Sequence, residues 1–469
     1  MKRNSIHGLM ARVSPQAVPD VFSSQGVTKA IREVLKKTGK ASKKRCPMNA
    51  ILVVWLVVAM NLHRALSVPD VLKEIVKRLR RKVPGLSLKP VTKEAPVKAR
   101  QRLGSVPLKE LFEMLAERVD PEPSFHGLRT WAEDGVRFTM PYTPENEAEY
   151  GLPKASRGTS AFPQMLGVAL VDTVSRRIHS VVLGHHKGSE RAGCLSLMKH
   201  LGLQDLLLLD RGFPSIEIFD ACETQKTHFL ARLSSTWKPR VIRRLGKGDS
   251  LVEISGKMLL PEDQWVNGRR KYRKVAFVLR LIEYRVRGRE PVRLITNLLD
   301  SKKYTAIELV VLYHERWESE LVYDEVKTHL VSTAGGSLDT TFRSKTPDGV
   351  LQEAYGLLIA YNLVRELMAT AAGVHALDPE RISFIEALNV IRMAGREFAG
   401  ADARVQRRLT RQLLADIADC KLSRSRRNRS CPRVVRIKMT KFKLKRKHHH
   451  EEPLNFLDLV SLGGGRKAA

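Results

Sequence analysis

The chain has 469 residues, with 82 lysines and arginines against 49 aspartates and glutamates, which leaves a formal net charge of +33. This length is typical of two to four domains, and a hydrophobic fraction of 43% is enough for packed cores, which excludes disorder as the main state. The longest apolar run, Ile51 to Met60, is about half of the roughly 20 residues that a membrane-spanning helix needs. The basic N-terminus lacks the apolar segment of a secretory signal, so we expect a soluble, intracellular protein without a membrane partner.

The positive charge is the first functional clue. A net charge of +33 on one chain causes self-repulsion unless an anionic partner offsets it, and nucleic acid is the commonest such partner. Charge alone does not distinguish a nucleic-acid enzyme from a binding protein.

Residues from about 20 to 118 have the apolar periodicity of helices. Helices are predicted at Val27 to Lys37, Met48 to His63, Pro69 to Arg81 and Leu103 to Val119, with a loop rich in Pro and Lys from Pro84 to Arg102. A compact helical domain with basic faces suits DNA docking, although the same pattern is also found in plain helical bundles.

From about Leu128 the period changes from that of helices to that of strands. Three strands are predicted at 128–141, 162–171 and 177–184, followed by a helix from Glu190 to Leu201. The uninterrupted apolar run Leu206 to Leu209 indicates a central strand that is buried on both faces. A helix at 215–224 and a strand at 228–233 complete the order β-β-β-α-β-α-β, which is that of the ribonuclease H fold.

The rest of the chain divides into three parts. Residues 237–299 alternate between apolar and basic side chains and predict a β-rich insertion. Helix resumes at about Ala306 and, after a break near 332–347, continues at 348–372 and 383–396. The segment Lys421 to His450 holds 13 Lys or Arg and no Asp or Glu, a pattern typical of a tail that becomes ordered on phosphates.

Three acidic residues are distinguished by their positions. Asp134 lies within the first predicted strand, and Asp210 ends the apolar strand, where Arg211 and Gly212 allow a sharp turn. Because these two strands are neighbours in a ribonuclease H fold, the two carboxylates are expected to meet. Glu320 lies on the helix after the insertion, and clustered carboxylates of this kind suit hard divalent cations.

The predicted helix around Glu320 carries further polar groups. Tyr313, Arg316, Glu320 and Lys327 follow at spacings of three, four and seven residues, which on a regular helix places them within an arc of about 60°. A guanidinium and an ammonium beside a metal-binding glutamate would hold phosphates. An ordinary surface helix has the same spacing, and Asp324 shares the arc, with Glu318 and Glu325 nearby, so spacing alone does not select Glu320.

The string Tyr313-x2-Arg316-x3-Glu320-x6-Lys327 is similar to the signature of the IS4 family of insertion-sequence transposases. Further motifs resemble that family in the same order: AEDG around Asp134, FPQ at 162–164, LLLLDRGF around Asp210, and RSKTPDGVLQEAYGLLIAYNLVREL from Arg343. The N-terminal helices, with ARQRLGSVPLKELF at 99–112, also resemble the family's N-terminal domain. The resemblance covers roughly residues 25–440.

The resemblance implies a Mg²⁺-dependent DDE transposase, in which Asp134, Asp210 and Glu320 are catalytic and hold two Mg²⁺ ions, with Mn²⁺ as a substitute. Such an enzyme binds its terminal inverted repeats, cleaves at the element ends and joins the 3′-hydroxyls to target DNA. The residues implied to contact DNA near the site are Tyr313, Arg316 and Lys327, together with Arg211, Arg343 and Lys345. The implied partner is DNA, bound by a homodimer in the synaptic complex, and the implied location is the cytoplasm of a bacterium, at the nucleoid.

Family members that pass through a DNA hairpin use an aromatic residue of the insertion to stack on a flipped base. Here the corresponding strand PVRLITNLL offers Leu294. Trp237 and Trp265 lie elsewhere in the insertion, and each is either a stacking residue or a half-buried structural tryptophan.

The predicted fold class is α/β: a ribonuclease H-like domain with a mixed five-stranded sheet and helices, interrupted by a β-rich insertion. The predicted division is a tail at 1–24, a helical DNA-binding domain at 25–125, the first part of the catalytic core at 126–236, the insertion at 237–300, the second part with Glu320 at 301–400, and a C-terminal helix with a basic tail at 401–469. Two alternatives to an active transposase stay open, namely a catalytically inactive, transposase-derived DNA-binding protein and a related nuclease without strand joining.

Overall fold

A computed structural model gives the structure of most of the chain. It describes residues 21–22, 26–43, 48–64, 66–82, 92, 94–118, 120–155, 158–260, 270–287, 289–330, 341–395, 397–398, 401–422, 429–430 and 454–463. Trp265 and most of the basic segment 421–450 lie outside these residues, so the predictions made for them are not addressed.

The helices in this part of the chain are α1 Val27–Lys37, α2 Ala50–Leu62, α3 Val68–Lys82, α4 Glu94–Leu103, α5 Val106–Ala116, α6 Pro144–Tyr150, α7 Glu190–Leu197, α8 Ile216–Gln225, α9 Ala306–Glu315, α10 Trp317–Asp324, α11 Pro347–Val374, α12 Phe384–Ala394 and α13 Ala403–Asp419. The strands are β1 Arg129–Thr139, β2 Lys154–Ala155, β3 Gly158–Thr159, β4 Gln164–Asp172, β5 Ile178–His185, β6 Asp205–Leu209, β7 His228–Arg232, β8 Arg240–Gly246, β9 Asp249–Leu259, β10 Tyr272–Val286, β11 Val292–Thr296, β12 Arg429–Ser430, β13 Leu454–Asn455 and β14 Val460–Leu462.

Helices α4 and α6 were not expected from the sequence. The prediction of a loop across 84–102 is wrong for its second half, because Glu94–Leu103 forms α4. Pro96 is compatible with this helix since it lies in the first turn, where the missing N–H has no intrahelical partner to lose. Pro96, Ala99 and Leu103 are buried and form the packed face of the helix.

The chain forms two compact units, each assembled from three stretches of sequence. Unit 1 comprises Met1–Pro121, Gly135–Gly188 and Glu320–Arg424, and unit 2 comprises Glu122–Asp134, Ser189–Ser319 and Ser425–Ala469. Strand β1 contributes to both. The six-part division made from the sequence stays a prediction.

Unit 1 is built around α2 and α11. Helix α2 is apolar on all sides and is buried along nearly its whole length, as predicted for this segment. It lies so close to α11 that a Cβ on Gly356 would approach Val57 Cγ1 to 2.7 Å, so that position has no room for a side chain. Helix α11 is long and apolar enough to cross a membrane, but most of it is buried in the core of this unit.

Ten of the described strands belong to one mixed sheet. In unit 2 the order is β1-β6-β7-β11-β10-β9-β8, in which β1 pairs with β6 and β6 with β7 in parallel, and the later pairs are antiparallel. The remaining order is β5-β4-β1, and β4 and β5 are antiparallel. The five strands predicted before the insertion are all present, so the structure confirms a mixed α/β fold.

The predicted β-rich insertion does form strands, but they extend the same sheet. Strand β11 pairs with β7, and β10, β9 and β8 follow outward from it. The expected five-stranded sheet is therefore too small, because the outer edge of β7 is covered by the insertion's own last strand. This pairing is non-local and leaves no mark on the local sequence pattern.

The C-terminal end also returns to unit 2. Strand β14 pairs with β10, and Phe456 and Leu459 are buried in the core beside Leu309 and Leu312 of α9. The Phe456 ring stacks on His314, with ring centroids 3.9 Å apart. Residues 454–463 therefore form a C-terminal strap across α9, where the sequence predicted only a tail.

Candidate active site

The register between β1 and β6 sets the positions of the first two predicted acids. Ala132 is the partner of Leu208 in the last paired row, and extending the same register by two residues on each strand places Asp134 opposite Asp210. Adjacent strands lie about 4.8 Å apart. The predicted meeting of these two residues therefore agrees with the strand pairing, and both side chains are half-buried at this end of the sheet.

Side-chain alternation gives both acids the same face of the sheet. Ala132 and Leu208 belong to the core that packs against α9, and residues two positions apart on a strand lie on the same side. Asp134 and Asp210 are therefore directed toward the side on which α9 lies. Tyr313 of α9 is buried there and donates from its hydroxyl to the carbonyl of Leu209 at 3.2 Å. This bond fixes α9 to the residue before Asp210.

A tight turn orients the Asp210 carboxylate. Its Oδ1 accepts a hydrogen bond from the backbone N–H of Gly212 at 2.6 Å, and its Oδ2 has no hydrogen-bond partner among the described residues. A Cβ at Gly212 would lie 3.0 Å from Oδ1, so a larger residue would crowd the carboxylate. Arg191 of α7 donates from Nε to the carbonyl of Gly212 at 2.7 Å. The turn is thus held both from within and from a neighbouring helix.

The pKa of Tyr313 is shifted by the charged groups around it and by its burial. Burial raises the pKa of its phenol, the Arg316 guanidinium lowers it and the charge of Asp210 raises it, and together these effects bring the pKa to about 12. Arg316 is buried in the turn between α9 and α10, with its guanidinium carbon 5.9 Å from the centroid of the Tyr313 ring. Tyr313, Arg316 and Asp210 therefore form one electrostatic neighbourhood in unit 2.

The segment that carries Glu320 is not one regular helix. Helix α9 ends at Glu315, α10 spans Trp317–Asp324, and Glu325–Leu330 forms a π-helical turn. The arc of about 60° assumed a regular 3.6-residue helix, so it does not describe this segment. Glu320 lies in α10, and its side chain is outside the described residues.

Lys327 lies in the π-helical turn, in unit 1. Its Nζ is 5.9 Å from the centroid of the Phe138 ring. Two residues earlier, buried Glu325 forms ion pairs with Arg365 and, at 3.6 Å, with Arg176, and lies 3.0 Å from the Tyr361 hydroxyl. The end of the Glu320 segment is therefore anchored in the core of unit 1.

The other basic residues predicted to contact DNA differ in their surroundings. Arg211 and Lys345 are exposed. Arg343 is half-buried and donates to the carbonyls of Leu66 at 2.8 Å and Met60 at 3.2 Å, and burial lowers its pKa. These contacts give Arg343 a structural role, and its contact with DNA stays a prediction.

One buried acid at the site was not singled out from the sequence. Glu133 is fully buried on the opposite side of β1 from Asp134, near the thiols of Cys194 and Cys222. Burial raises the pKa of Glu133 to about 7, with a small opposing effect of Cys194. The only sequence signal was its alternation with Asp134, which gives a side of the sheet but not the depth of burial.

Of the two tryptophans considered for base stacking, the structure describes Trp237. It is half-buried, with its ring 5.7 Å from that of Phe219, and it lines a cavity of about 340 Å³ together with Thr236, Lys238, Pro239, Ile254 and Ser255. Leu294 is fully buried in the sheet. The packing against Phe219 agrees with a half-buried structural tryptophan.

The site offers oxygen ligands of the kind that divalent cations prefer. Asp134 and Asp210 place two carboxylates at the same end of the paired strands β1 and β6, and one oxygen of Asp210 keeps its lone pairs available. No group of three or more His, Cys, Asp or Glu side chains suited to a metal occurs within the described ranges, which exclude the Glu320 side chain. The residues present thus fit two ligands of a hard-cation site.

Comparison with protein families gives two matches. The model of the transposase DDE domain matches residues 126–363, a range that contains Asp134, Asp210 and Glu320. The model of the insertion element 4 transposase N-terminal domain matches residues 18–113.

Individual relatives agree with these matches. The chain is 30% identical over 408 residues to transposase InsG for insertion sequence element IS4 of Escherichia coli K12, which covers 85% of this chain and 87% of that protein. It is 27% identical over 220 residues to putative transposase InsZ of the same strain, covering 46% of this chain and 69% of that protein. Among solved structures, a piggyBac transposase synaptic complex with hairpin DNA covers 89% of this chain and 87% of that chain, at 11% identity and a TM-score of 0.39. That score is too low to support an argument.

Proposed function

Because the chain belongs to the IS4 family of insertion-sequence transposases, we propose that Asp134, Asp210 and Glu320 are its catalytic residues and hold two Mg²⁺ ions. The protein is a DDE transposase, and enzymes of this family generally use divalent metal ions. The assignment is supported by the parallel pairing of β1 with β6, whose register, extended by two residues, places Asp134 opposite Asp210 on the α9 side of the sheet. Bound ions of this kind polarise the phosphodiester and lower the pKa of the attacking hydroxyl group. Mn²⁺ prefers the same oxygen ligands and is expected to substitute for Mg²⁺.

The chain's own residues orient the DNA and the carboxylates. The hydrogen bond from Tyr313 to Leu209 holds α9 beside Asp210, and the Arg316 guanidinium supplies positive charge for a phosphate of the bound strand. Lys327, which follows Glu320 in the protein chain, binds the phosphate backbone of the DNA. Arg211 and Lys345 are exposed cations suited to phosphates, and Arg343 is proposed for the same contact on the basis of its motif alone.

The substrate is DNA, and we assign the reaction to the terminal inverted repeats of the element. Water cleaves the phosphodiester at an element end and leaves a 3′-hydroxyl. That hydroxyl then attacks a phosphorus of target DNA, so a new P–O bond forms as the target's own bond breaks and a target 3′-hydroxyl leaves. No covalent protein–DNA intermediate is needed. Two ends must be paired, which favours a homodimer in the synaptic complex.

The fold proposed for the catalytic part is ribonuclease H-like. The parallel order β1-β6-β7 and the antiparallel pair β4-β5 support this assignment, since they match the strand arrangement expected from the sequence. The proposed location is the bacterial cytoplasm, at the nucleoid, where the DNA substrate is.

One experiment separates this function from a DNA-binding remnant and from a nuclease without strand joining. Labelled terminal-repeat DNA is incubated with the protein, with and without Mg²⁺, and the products are resolved on denaturing gels. Nicked and joined products are expected only with Mg²⁺. Binding without nicking would instead indicate the remnant, and nicking without joining the nuclease.

Two variants are compared in this assay. Asp210→Ala removes the proposed metal ligand, and Glu223→Ala is the control, because it removes an exposed carboxylate of the same unit. Asp210→Ala is expected to abolish cleavage while end binding persists, and Glu223→Ala to behave as the wild type. Cleavage that survives in Asp210→Ala would overturn the metal assignment.

A further inference from the structure

The peptide unit of Gly212 is held from both sides. Its N–H donates to Asp210 Oδ1 at 2.6 Å, and its carbonyl accepts from Arg191 Nε at 2.7 Å. The guanidinium of Arg191 is therefore linked to the Asp210 carboxylate through a single backbone residue. Both hydrogen bonds involve a charged group, which makes them stronger than bonds between neutral groups.

The two ends of this link are anchored differently. Phe213, directly after Gly212, is buried with a 1% exposed side chain and fixes the far end of the turn. Arg191 projects from the first turn of α7, which is capped by Ser189 and packed into unit 2 through Cys194 and Leu197. The link thus runs from a packed helix to a turn whose central residues, Arg211 and Gly212, are exposed.

Arg191 itself is exposed, so it contributes little to the core. An exposed arginine that satisfies one carbonyl of a four-residue turn has a small effect on global stability and a large effect on that turn. Neither the family signature nor the spacing of charges singles out this residue, because Glu190 and Arg191 look like an ordinary charged helix start.

We propose that Arg191 is a positioning residue that holds the turn Asp210–Phe213 and so sets the direction of the Asp210 carboxylate toward its cation. This inference rests on the proposed function of Asp210. It assigns Arg191 a role through Gly212 rather than through DNA.

The test compares Arg191→Ala and Arg191→Lys with Lys199→Ala, which removes an exposed cation a few residues further along the same unit. The first measurement is backbone hydrogen exchange of residues 209–213 and of Ser215 in the protein without metal or DNA. Exchange at Gly212 and Phe213 is expected to become faster in Arg191→Ala and to stay unchanged in Lys199→Ala. Unchanged exchange in Arg191→Ala would overturn the proposal.

The second measurement is the Mg²⁺ concentration that gives half of the metal-induced rise in Tm. Loss of a group that orients a metal ligand typically weakens metal binding by about 10–100-fold, so this concentration is expected to rise by a similar factor in Arg191→Ala. Affinity for terminal-repeat DNA is expected to match that of Lys199→Ala.

A purely electrostatic contact with DNA predicts a different outcome. Arg191→Ala would then weaken DNA binding more than Lys199→Ala does, and Arg191→Lys would restore the binding. The Mg²⁺ concentration that gives half of the rise in Tm would stay at the wild-type value. That pattern would overturn the proposal.

Failure of the proposed function is recognised separately. If Asp210→Ala showed the same Mg²⁺-induced rise in Tm as the wild type, Asp210 would not be a metal ligand. The exchange measurement would still decide whether Arg191 holds the turn.

Discussion

Glu353 and Glu325 of unit 1 and Asp210 of unit 2 are carboxylates in opposite surroundings, although unit 2 also has a buried ion pair, Asp249 with Arg280. In unit 1, Glu353 is fully buried and surrounded by cations, with Arg64 at 3.4 Å and Arg100 at 3.7 Å. Glu325 is likewise buried between Arg365 and Arg176. In unit 2, Asp210 is half-buried and accepts from a backbone N–H.

The difference separates carboxylates that hold a structure together from one that is available for a ligand. A buried carboxylate needs cations at fixed distances, because an uncompensated charge in the core costs several kcal/mol. A carboxylate at a strand end is solvated, so it can exchange water for a metal ion. Substitutions at the two kinds of carboxylate are therefore expected to have different effects on activity and stability.

Asp134→Asn is expected to reduce strand cleavage on the order of a thousandfold or more, which corresponds to about 4 kcal/mol of transition-state stabilisation. The free energy of unfolding should change by less than about 1 kcal/mol, since the side chain is only half-buried. Single-turnover cleavage and chemical denaturation measure the two effects. A large loss of stability with cleavage retained would contradict the contrast.

Glu353→Ala is expected to lower the free energy of unfolding by about 3–5 kcal/mol, because Arg64 and Arg100 would be left buried without their counter-charge. Urea denaturation gives the value. Glu33→Ala, at an exposed helix position of the same unit, serves as the control and should change stability by less than about 0.5 kcal/mol. Equal effects of the two substitutions would show that burial does not distinguish these acids.

Glu133→Gln tests a buried carboxyl that has no cation beside it in the described contacts. Because its pKa is raised from 4.5 to about 7, the folded protein keeps a proton that the unfolded chain releases, so wild-type stability falls as pH rises between these values. At 1.36 kcal/mol for each pKa unit, the loss reaches about 3 kcal/mol above pH 7. Because glutamine does not titrate, Glu133→Gln does not lose stability in this way as the pH rises.

Urea denaturation at pH 5 and pH 8 measures this difference. Relative to the wild type, Glu133→Gln should gain stability on going from pH 5 to pH 8. A gap between variant and wild type that stays constant over this range would mean that Glu133 does not titrate there.

Lys345→Ala and Arg343→Ala sharpen the contrast among cations. Lys345 is exposed, so its loss should reduce the slope of log affinity for DNA against log salt by about 1 and leave stability unchanged. Arg343→Ala should lower stability instead, since the carbonyls of Leu66 and Met60 lose their donor. DNA titrations at several salt concentrations give the salt dependence of the affinity, and denaturation curves give the stability. An unchanged slope in Lys345→Ala would remove it from the DNA contacts.

Much of the fold follows from local patterns. The central strand at 206–209 was recognisable because four consecutive leucines suit a strand covered on both sides, and it is fully buried between two parallel neighbours. Helix α2 was recognisable from its apolar composition. Helix α4 was missed because the prolines and lysines of residues 84–102 resemble a loop, whereas Pro96 occupies the first turn of the helix.

The sequence predicted the positions of some residues of the candidate site better than those of others. The meeting of Asp134 and Asp210 was predicted from strand order, and the register of the last paired row, Ala132 with Leu208, is compatible with it. The single-arc argument for Tyr313, Arg316, Glu320 and Lys327 fails because the segment contains a turn and a π-helical turn. Such irregularities arise from tertiary anchors, here the bond of Tyr313 to Leu209 and the ion pairs of Glu325.

Residue identity and local periodicity are enough to give the family, the order of strands and helices, and the acids that belong to the family's motifs. The extension of the sheet by the insertion, the C-terminal strap across α9 and the contact of Arg191 with the turn after Asp210 are visible only in the folded chain. Those contacts join residues far apart in the chain or in different elements, and their energy depends on where the folded backbone brings donors and acceptors together.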